Sequence, residues 1–373
     1  MSLRTILLRE IDLFVGFSWR DWMNAVISTW LFSLGGFKDV SSISEGVVNN
    51  LVVIVWVTCC MYSFNLFTQS RSLDEDLLNK PDRPIPSGKI SVEEAFRRFL
   101  VIWLALAAVC VFHPQIITAT VLWFLLTLLL GATKSGGHWF WKNTIAMSLG
   151  TWAFFSAGHK LMVPAKAEPP QHAAMMAVWA GLTAHVQDFR DQKGDRKVGR
   201  RTIPLSYGDG PARIIVATLL FPAAFAVLYK LDFVRNAPLL LCCVHAWLSY
   251  RILACRGKDS DTSTYTIYGF IFCTMALISS LDRLDILSNT FPSPTKSKMV
   301  RSVILLIGLP VLAYCSTIPN INATEASGNF KRGSECRTYQ DCPPCGFYER
   351  CCLPSFGGGW CECGTSGREN TCK

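Results

Sequence analysis

Stretches of about 16 to 22 mostly apolar residues recur along this chain, separated by short polar loops. They cover residues 20–36, 47–67, 98–113, 115–133, 143–163, 173–188, 213–230, 236–255 and 264–284. A helix of about 20 apolar residues crosses the hydrocarbon of a bilayer. A spanning strand would need only about 9–11 residues and would alternate apolar with polar. The blocks therefore predict an all-α, multi-pass bundle of about nine transmembrane helices. Charged residues are 17% of the 373, against about 25% in soluble domains, while 50% are hydrophobic. That excludes a disordered chain and argues against an ordinary soluble domain. The net charge of +9 is concentrated in a few loops, which reads as membrane orientation and not as a nucleic-acid surface.

Two loops carry most of that charge. Residues 68–98 hold Arg71, Lys80, Arg83, Lys89, Arg97 and Arg98, and residues 189–212 hold Arg190, Lys193, Arg196, Lys197, Arg200 and Arg201. The positive-inside tendency places both on the cytoplasmic face, together with the N-terminus and the loop 251–263.

The same two loops carry clustered acids. Asp188, Asp191 and Asp195 are spaced three and four apart, so on a helix they share one face. Three like charges on one face repel unless a cation lies between them. Hard divalent ions, Mg²⁺ above all, take such oxygen donors and often bring substrate phosphates. Asp74, Glu75 and Asp76 precede Asn79-Lys80-Pro-Asp-Arg83, in a loop stiffened by Pro81, Pro84 and Pro86. Asn79, Lys80, Arg83, Lys193, Arg200 and Arg201 are suited to hold a diphosphate. The alternative for each loop alone is a solvated helix of mixed charge or a proline-rich turn. Two acid clusters on one membrane face, each beside basic residues, describe a site for a polyanion with an apolar tail. Tyr62, Phe64, Phe67, Trp152, Phe154, Phe155 and Trp179 are candidates to line the tail's path and to stabilise a carbocation, packing contacts being the alternative for any one of them. His185, three residues before Asp188, is a further candidate for contact with the site.

With these motifs the chain resembles the UbiA superfamily of intramembrane prenyltransferases over about residues 15–287. The resemblance implies nine helices and two acidic motifs. The second, Asp-x3-Asp, stands here as Asp191 and Asp195, preceded by Asp188. The first is altered. Aligned on Asn79-Lys-Pro-Asp-Arg83-Pro-Ile-Pro-Ser-Gly88, Asp76 takes the last acidic position, while Thr68 and Ser72 replace the two earlier ones. This departure is similar to a fungal branch that includes membrane-bound terpene cyclases. The resemblance implies a Mg²⁺-dependent enzyme of an internal membrane such as the endoplasmic reticulum. It would ionise a farnesyl or similar diphosphate and cyclise it, or else pass the prenyl group to an acceptor. Asp76, Asp188, Asp191 and Asp195 would be catalytic, and with Asp74 and Glu75 would hold the metal. A transporter with cation-binding loops would instead place its acids near mid-membrane.

The chain divides into an enzyme region, 1–290, a linker, 291–332, and a cysteine-rich segment, 333–373. Of sixteen cysteines, eight lie between Cys336 and Cys372, the density of a secreted disulfide framework. Before them stand a leader-like segment from Met299 to Tyr314, the sequon Asn322-Ala-Thr324 and the dibasic pair Lys331-Arg332. Two accounts are open: a luminal appendage of the enzyme, or a separate small secreted protein merged with it in one gene model.

Overall fold

In the computed structural model, residues 2–163, 170–231, 234, 238–284, 351–354 and 361–364 are described. Two compact units are present, Met1–Cys315 and Ser316–Lys373.

The first unit is helical throughout its described residues. Its helices are α1 (Leu3–Ser18), α2 (Ser28–Ser33), α3 (Ile43–Gln69), α4 (Leu73–Asn79), α5 (Val92–Phe112), α6 (Ile117–Ala132), α7 (Met147–Met162), α8 (Gln171–Thr183), α9 (Val186–Lys197), α10 (Ile203–Tyr207), α11 (Asp209–Ile215), α12 (Phe221–Leu228), α13 (Pro238–Ala254) and α14 (Lys258–Arg283). Among the described residues five helical segments are long and apolar enough to cross a membrane: Ile43–Gln69, Val92–Phe112, Pro114–Ala132, Asp209–Leu228 and Lys258–Arg283. The other expected spans contain helix in shorter pieces. The 20–36 block is broken by a π turn at Met23–Ile27 and a 3-10 turn at Leu34–Asp39. Gly35 and Gly36 in that turn lie so close to Arg283 and Met162 that a Cβ on either would collide. The 143–163 block opens with a π turn, Phe140–Ala146, and 173–188 breaks between α8 and α9.

Local signals set the helix ends. Ser42 caps α3 by accepting from the Glu45 amide. Ser91 and Glu94 cap α5 reciprocally, which satisfies two amides the helix cannot. Several indoles deep in the bundle are paired, as a lipid environment favours. The Trp56 indole donates to Thr120 Oγ1 at 3.0 Å, and that of Trp123 to the Cys60 carbonyl at 2.9 Å. The indole of Trp179 donates to His245 Nε2 at 2.9 Å. Cys60 is buried, whereas Cys242 and Cys243 are exposed on α13.

One hydrophobic cluster fixes the first acidic loop. Leu13 and Phe17 of α1, Tyr62, Leu66 and Phe67 of α3, and Ala95 and Phe99 of α5 enclose Ile85 and Ile90. Those two isoleucines pin the proline-rich loop between α4 and α5.

In the second unit, β1 (Cys351–Pro354) and β2 (Cys361–Gly364) pair antiparallel, with Cys352 opposite Cys363. The leader-like segment, the sequon and the dibasic pair lie outside the described residues.

Candidate functional site

α4 is a short helix bounded by chemistry at both ends. Asp74, Glu75 and Asp76 occupy its first turn, where carboxylates favour the helix dipole. Pro81 stops it just past Lys80. Glu75 and Asp76 are buried, at 3% and 0% exposure, while Asp74 is exposed. With a 3.6-residue turn, three consecutive acids cannot share a face. Asp74, expected beside the metal, is the one turned outward.

α9 presents the second cluster as its spacing predicts. Asp188, Asp191 and Asp195 are all buried. Asn79 joins the two helices: its Nδ2 donates to the Asp191 carbonyl at 3.0 Å, and its Oδ1 accepts from the Gly194 amide at 3.1 Å. A Cβ at Gly194 would collide with the Asn79 amide, so the residue between Asp191 and Asp195 must be glycine for this docking. α9 ends at Gly199, whose φ of +69° is readily open only to glycine. The reversal returns Arg200 over the helix, its amide on the Asp195 carbonyl at 2.9 Å.

Every one of the five buried acids has a basic partner. Asp76 takes Arg83 through both oxygens, at 2.7 and 2.9 Å. Lys80 contacts Asp191 at 3.3 Å. Arg200 bridges Glu75 at 2.6 Å and Asp195 at 3.1 Å. Lys142 meets Asp188 at 3.1 Å, and Asn143 donates to the other Asp188 oxygen at 2.6 Å. Lys142 and Asn143 come from the π turn before α7, a distortion common at functional sites. Sequence reading missed both. His185 does not reach Asp188 but lies beside Asn143 and Thr144, each at 3.2 Å. From outside, Gln192 of α9 donates to Asp209 at 2.8 Å, and Asp209 and Asp261 hold the buried Arg213.

Among the described residues no three His, Cys, Asp or Glu side chains converge as a ready metal shell. The acids are instead neutralised pairwise. Burial draws the Lys80 ammonium below its usual range. Burial alone would raise Asp191, but Lys80, Arg190 and Lys142 hold it well below. Asp195 is pushed up to about 6, by burial first and then by Asp188 and Glu75, against the pull of Lys142 and Arg200. Its Oδ2 is buried without a hydrogen-bond partner. Hard oxygen donors with one left unsatisfied suit a divalent cation.

Some of these groups line a cavity of about 260 Å³; Asp76, Asp188 and Asp195 are not in its lining. Glu75, Lys80, Arg83, Asp191 and Arg200 line its polar part, joined by Arg71, Lys142 and Arg190, which were not expected there. Thr68 and Ser72, standing where the family pattern has acids, also line it, and Ser72 donates to Asp76 at 3.3 Å. The apolar part includes Met61, Phe64, Trp123 and Phe154. The rings of Trp123 and Phe154 are 4.4 Å apart, and Gly150 makes room for Trp123, whose ring a Cβ there would meet at 2.8 Å. Of the expected aromatics, Phe64 and Phe154 line the cavity, and Trp123 was missed. Tyr62, Phe67, Phe155 and Trp179 are buried in packing, and Trp152 is absent from the lining. Lys193 is exposed and outside it. The Arg201 side chain is exposed too; its backbone ties the loop to residues 137–139 through bonds of 2.7 and 2.9 Å.

Residues 25–276 match the UbiA prenyltransferase family. The chain is 39% identical over 289 residues to the diterpene cyclase eriG of Hericium erinaceus, covering 78% of this chain and 94% of that protein. It is 39% identical over 274 residues to the polyprenyl transferase eriF of the same fungus, covering 73% and 95%. A solved structure titled for the biosynthesis of digeranylgeranylglyceryl phosphate synthase in membranes aligns at 17% identity and a TM-score of 0.49, over 74% of this chain and 99% of that one.

Proposed function

The chain belongs to the UbiA prenyltransferase family, and from that membership we propose that this integral membrane enzyme binds an isoprenoid diphosphate with Mg²⁺ at the cavity mouth and cyclises it to a terpene. The observation that carries the reading is the cavity itself. Its lining joins the charged Glu75, Asp191, Lys80, Arg83 and Arg200 with the apolar Met61, Phe64, Trp123 and Phe154.

Glu75, Asp76, Asp188, Asp191 and Asp195 would hold the magnesium, with the unsatisfied Asp195 Oδ2 as a donor in waiting. Bound magnesium supplies charge neutralisation for the departing diphosphate. Acids engaged in this way leave Lys80, Arg83 and Arg200 free to turn to phosphate oxygens, so one set of side chains serves the empty and the loaded site. The aromatic faces then stabilise the allylic cation, each by about 0.5–2 kcal/mol, and the apolar walls keep water from capturing it.

The altered first motif and the likeness to a diterpene cyclase support cyclisation without an acceptor. The equal identity to a polyprenyl transferase supports the second reading, transfer to an acceptor. Membranes containing the protein, given Mg²⁺ and geranylgeranyl or farnesyl diphosphate alone, should yield a cyclic hydrocarbon detectable by gas chromatography and mass spectrometry. Turnover that starts only when an acceptor is added would establish the transferase instead. We place the acid-bearing face on the cytoplasmic side of an internal membrane, on the strength of the basic loops.

A further inference from the structure

The cavity holds a polar group that this diphosphate chemistry leaves unused. Asp21 ends the 3-10 turn Trp19–Asp21 just after α1. Asn65 Nδ2 donates to Asp21 Oδ2 at 3.0 Å. Beside them Asn24 Nδ2 donates to the Tyr265 hydroxyl at 2.8 Å, and the Arg190 guanidinium stacks 3.9 Å above the Tyr265 ring. All five residues line the cavity.

α3 gives the depth of this cluster. Met61, Phe64, Asn65 and Thr68 line the cavity from that one helix, and Ser72 lines it from just before α4. At about 1.5 Å per residue, Asn65 stands roughly 4.5 Å along the axis from Thr68 and next to Phe64. Asp21 is therefore tied to α3 where the polar mouth gives way to the aromatic lining. The other two acids on the cavity wall are engaged differently: Glu75 is paired with Arg200 and Asp191 with Lys80. Asp21 is held by a neutral amide, through one oxygen, while Arg190, which also lines the cavity, stacks on Tyr265 and contacts Asp191 at 3.5 Å.

A cyclisation must end by disposing of a proton. The last carbocation becomes a neutral hydrocarbon only when a neighbouring C–H bond breaks. Its electron pair forms the C=C bond, and the proton passes to a base. We propose that Asp21 is that base, with Asn65 as its positioning residue: Oδ2 is held by Asn65 and Oδ1 takes the proton, which later returns to water at the cavity mouth. This inference rests on the cyclase reading above. The base is a different side chain from those that ionise the diphosphate, so ionisation and termination are separable.

The test uses full-length protein in membranes with Mg²⁺ and geranylgeranyl or farnesyl diphosphate. Free diphosphate reports ionisation, and hydrocarbon reports termination, both read from one incubation. Asp21→Asn keeps the acceptor oxygen for Asn65 and removes the base. It should go on releasing diphosphate while the wild-type hydrocarbon falls at least tenfold, replaced by alcohols from water capture or by isomeric alkenes. Asp21→Glu should restore the wild-type hydrocarbon. An Asp21→Asn protein with the wild-type product at the wild-type ratio to diphosphate would overturn the proposal and leave the departed diphosphate as the base. Loss of diphosphate release in step with hydrocarbon would also overturn it, by placing Asp21 in substrate binding. If the wild type releases diphosphate only with an added acceptor, the cyclase reading fails and the proposal fails with it, before any variant is made.

Discussion

The two acidic regions of the site solve the same problem by different means. α9 is a regular helix whose Asp188, Asp191 and Asp195 all fall on one buried face. α4 is two turns long, and of its three consecutive acids Glu75 and Asp76 are buried while Asp74 points away. Thr68 on α3 and Ser72 just before α4 stand where the family pattern has acids, and still line the cavity. The difference teaches that the helix, not the number of acids in a motif, decides which carboxylates reach a site. Glu75 lines the cavity, while its neighbour Asp76 is turned to Arg83 and Ser72.

The comparison can be broken most forcefully at α9. Asp191→Asn should lower turnover by about 10²–10³-fold or more, the scale for losing one electrostatic contact in a transition state, with the protein still inserted; near-normal turnover would remove α9 from the chemistry. On α4, Asp76→Ala leaves the half-buried Arg83 without its carboxylate, the loss of a hydrogen bond to a charged group, which costs about 1.5–3 kcal/mol. Both activity and thermal stability in detergent should fall, whereas Asp191→Asn should spare stability. Asn79→Ala tests the joint between the regions. It removes two hydrogen bonds, one to a buried amide, worth about 1–3 kcal/mol, and should lower stability and activity together. Asp74→Ala should change turnover by less than about twofold, as exposed substitutions usually do. A large loss there would show that α4 turns its first acid inward when loaded.

Much of this was legible in the sequence for definite reasons. The 3.6-residue period put Asp188, Asp191 and Asp195 on one face before any coordinates. Pro81 after Lys80 and Gly199 before Arg200 marked where the helices must end. What escaped were partners distant in sequence. Lys142 reaches Asp188 across 46 residues, and Arg200 reaches Glu75 across 125. Nothing local to Lys142-Asn143, in an otherwise apolar run, announces an acid-binding role. The aromatic lining escaped for a related reason: Trp123 and Tyr62 look alike in an apolar helix, and only packing decides that Trp123 faces the cavity while Tyr62 meets Phe14 and Phe17. The broken helices escaped because hydropathy is blind to a π turn.

The account stands most directly on whether the two acidic regions act together through a metal. Equilibrium binding of a non-ionisable prenyl thiolodiphosphate to membranes, with Mg²⁺ and then with EDTA, measures this apart from turnover. Saturable binding that needs Mg²⁺, is abolished by EDTA, returns on Mg²⁺ addition and is lost in both Asp191→Asn and Glu75→Gln is the predicted result. Equal binding in EDTA, or Mg²⁺-dependent binding that survives both substitutions, would contradict it.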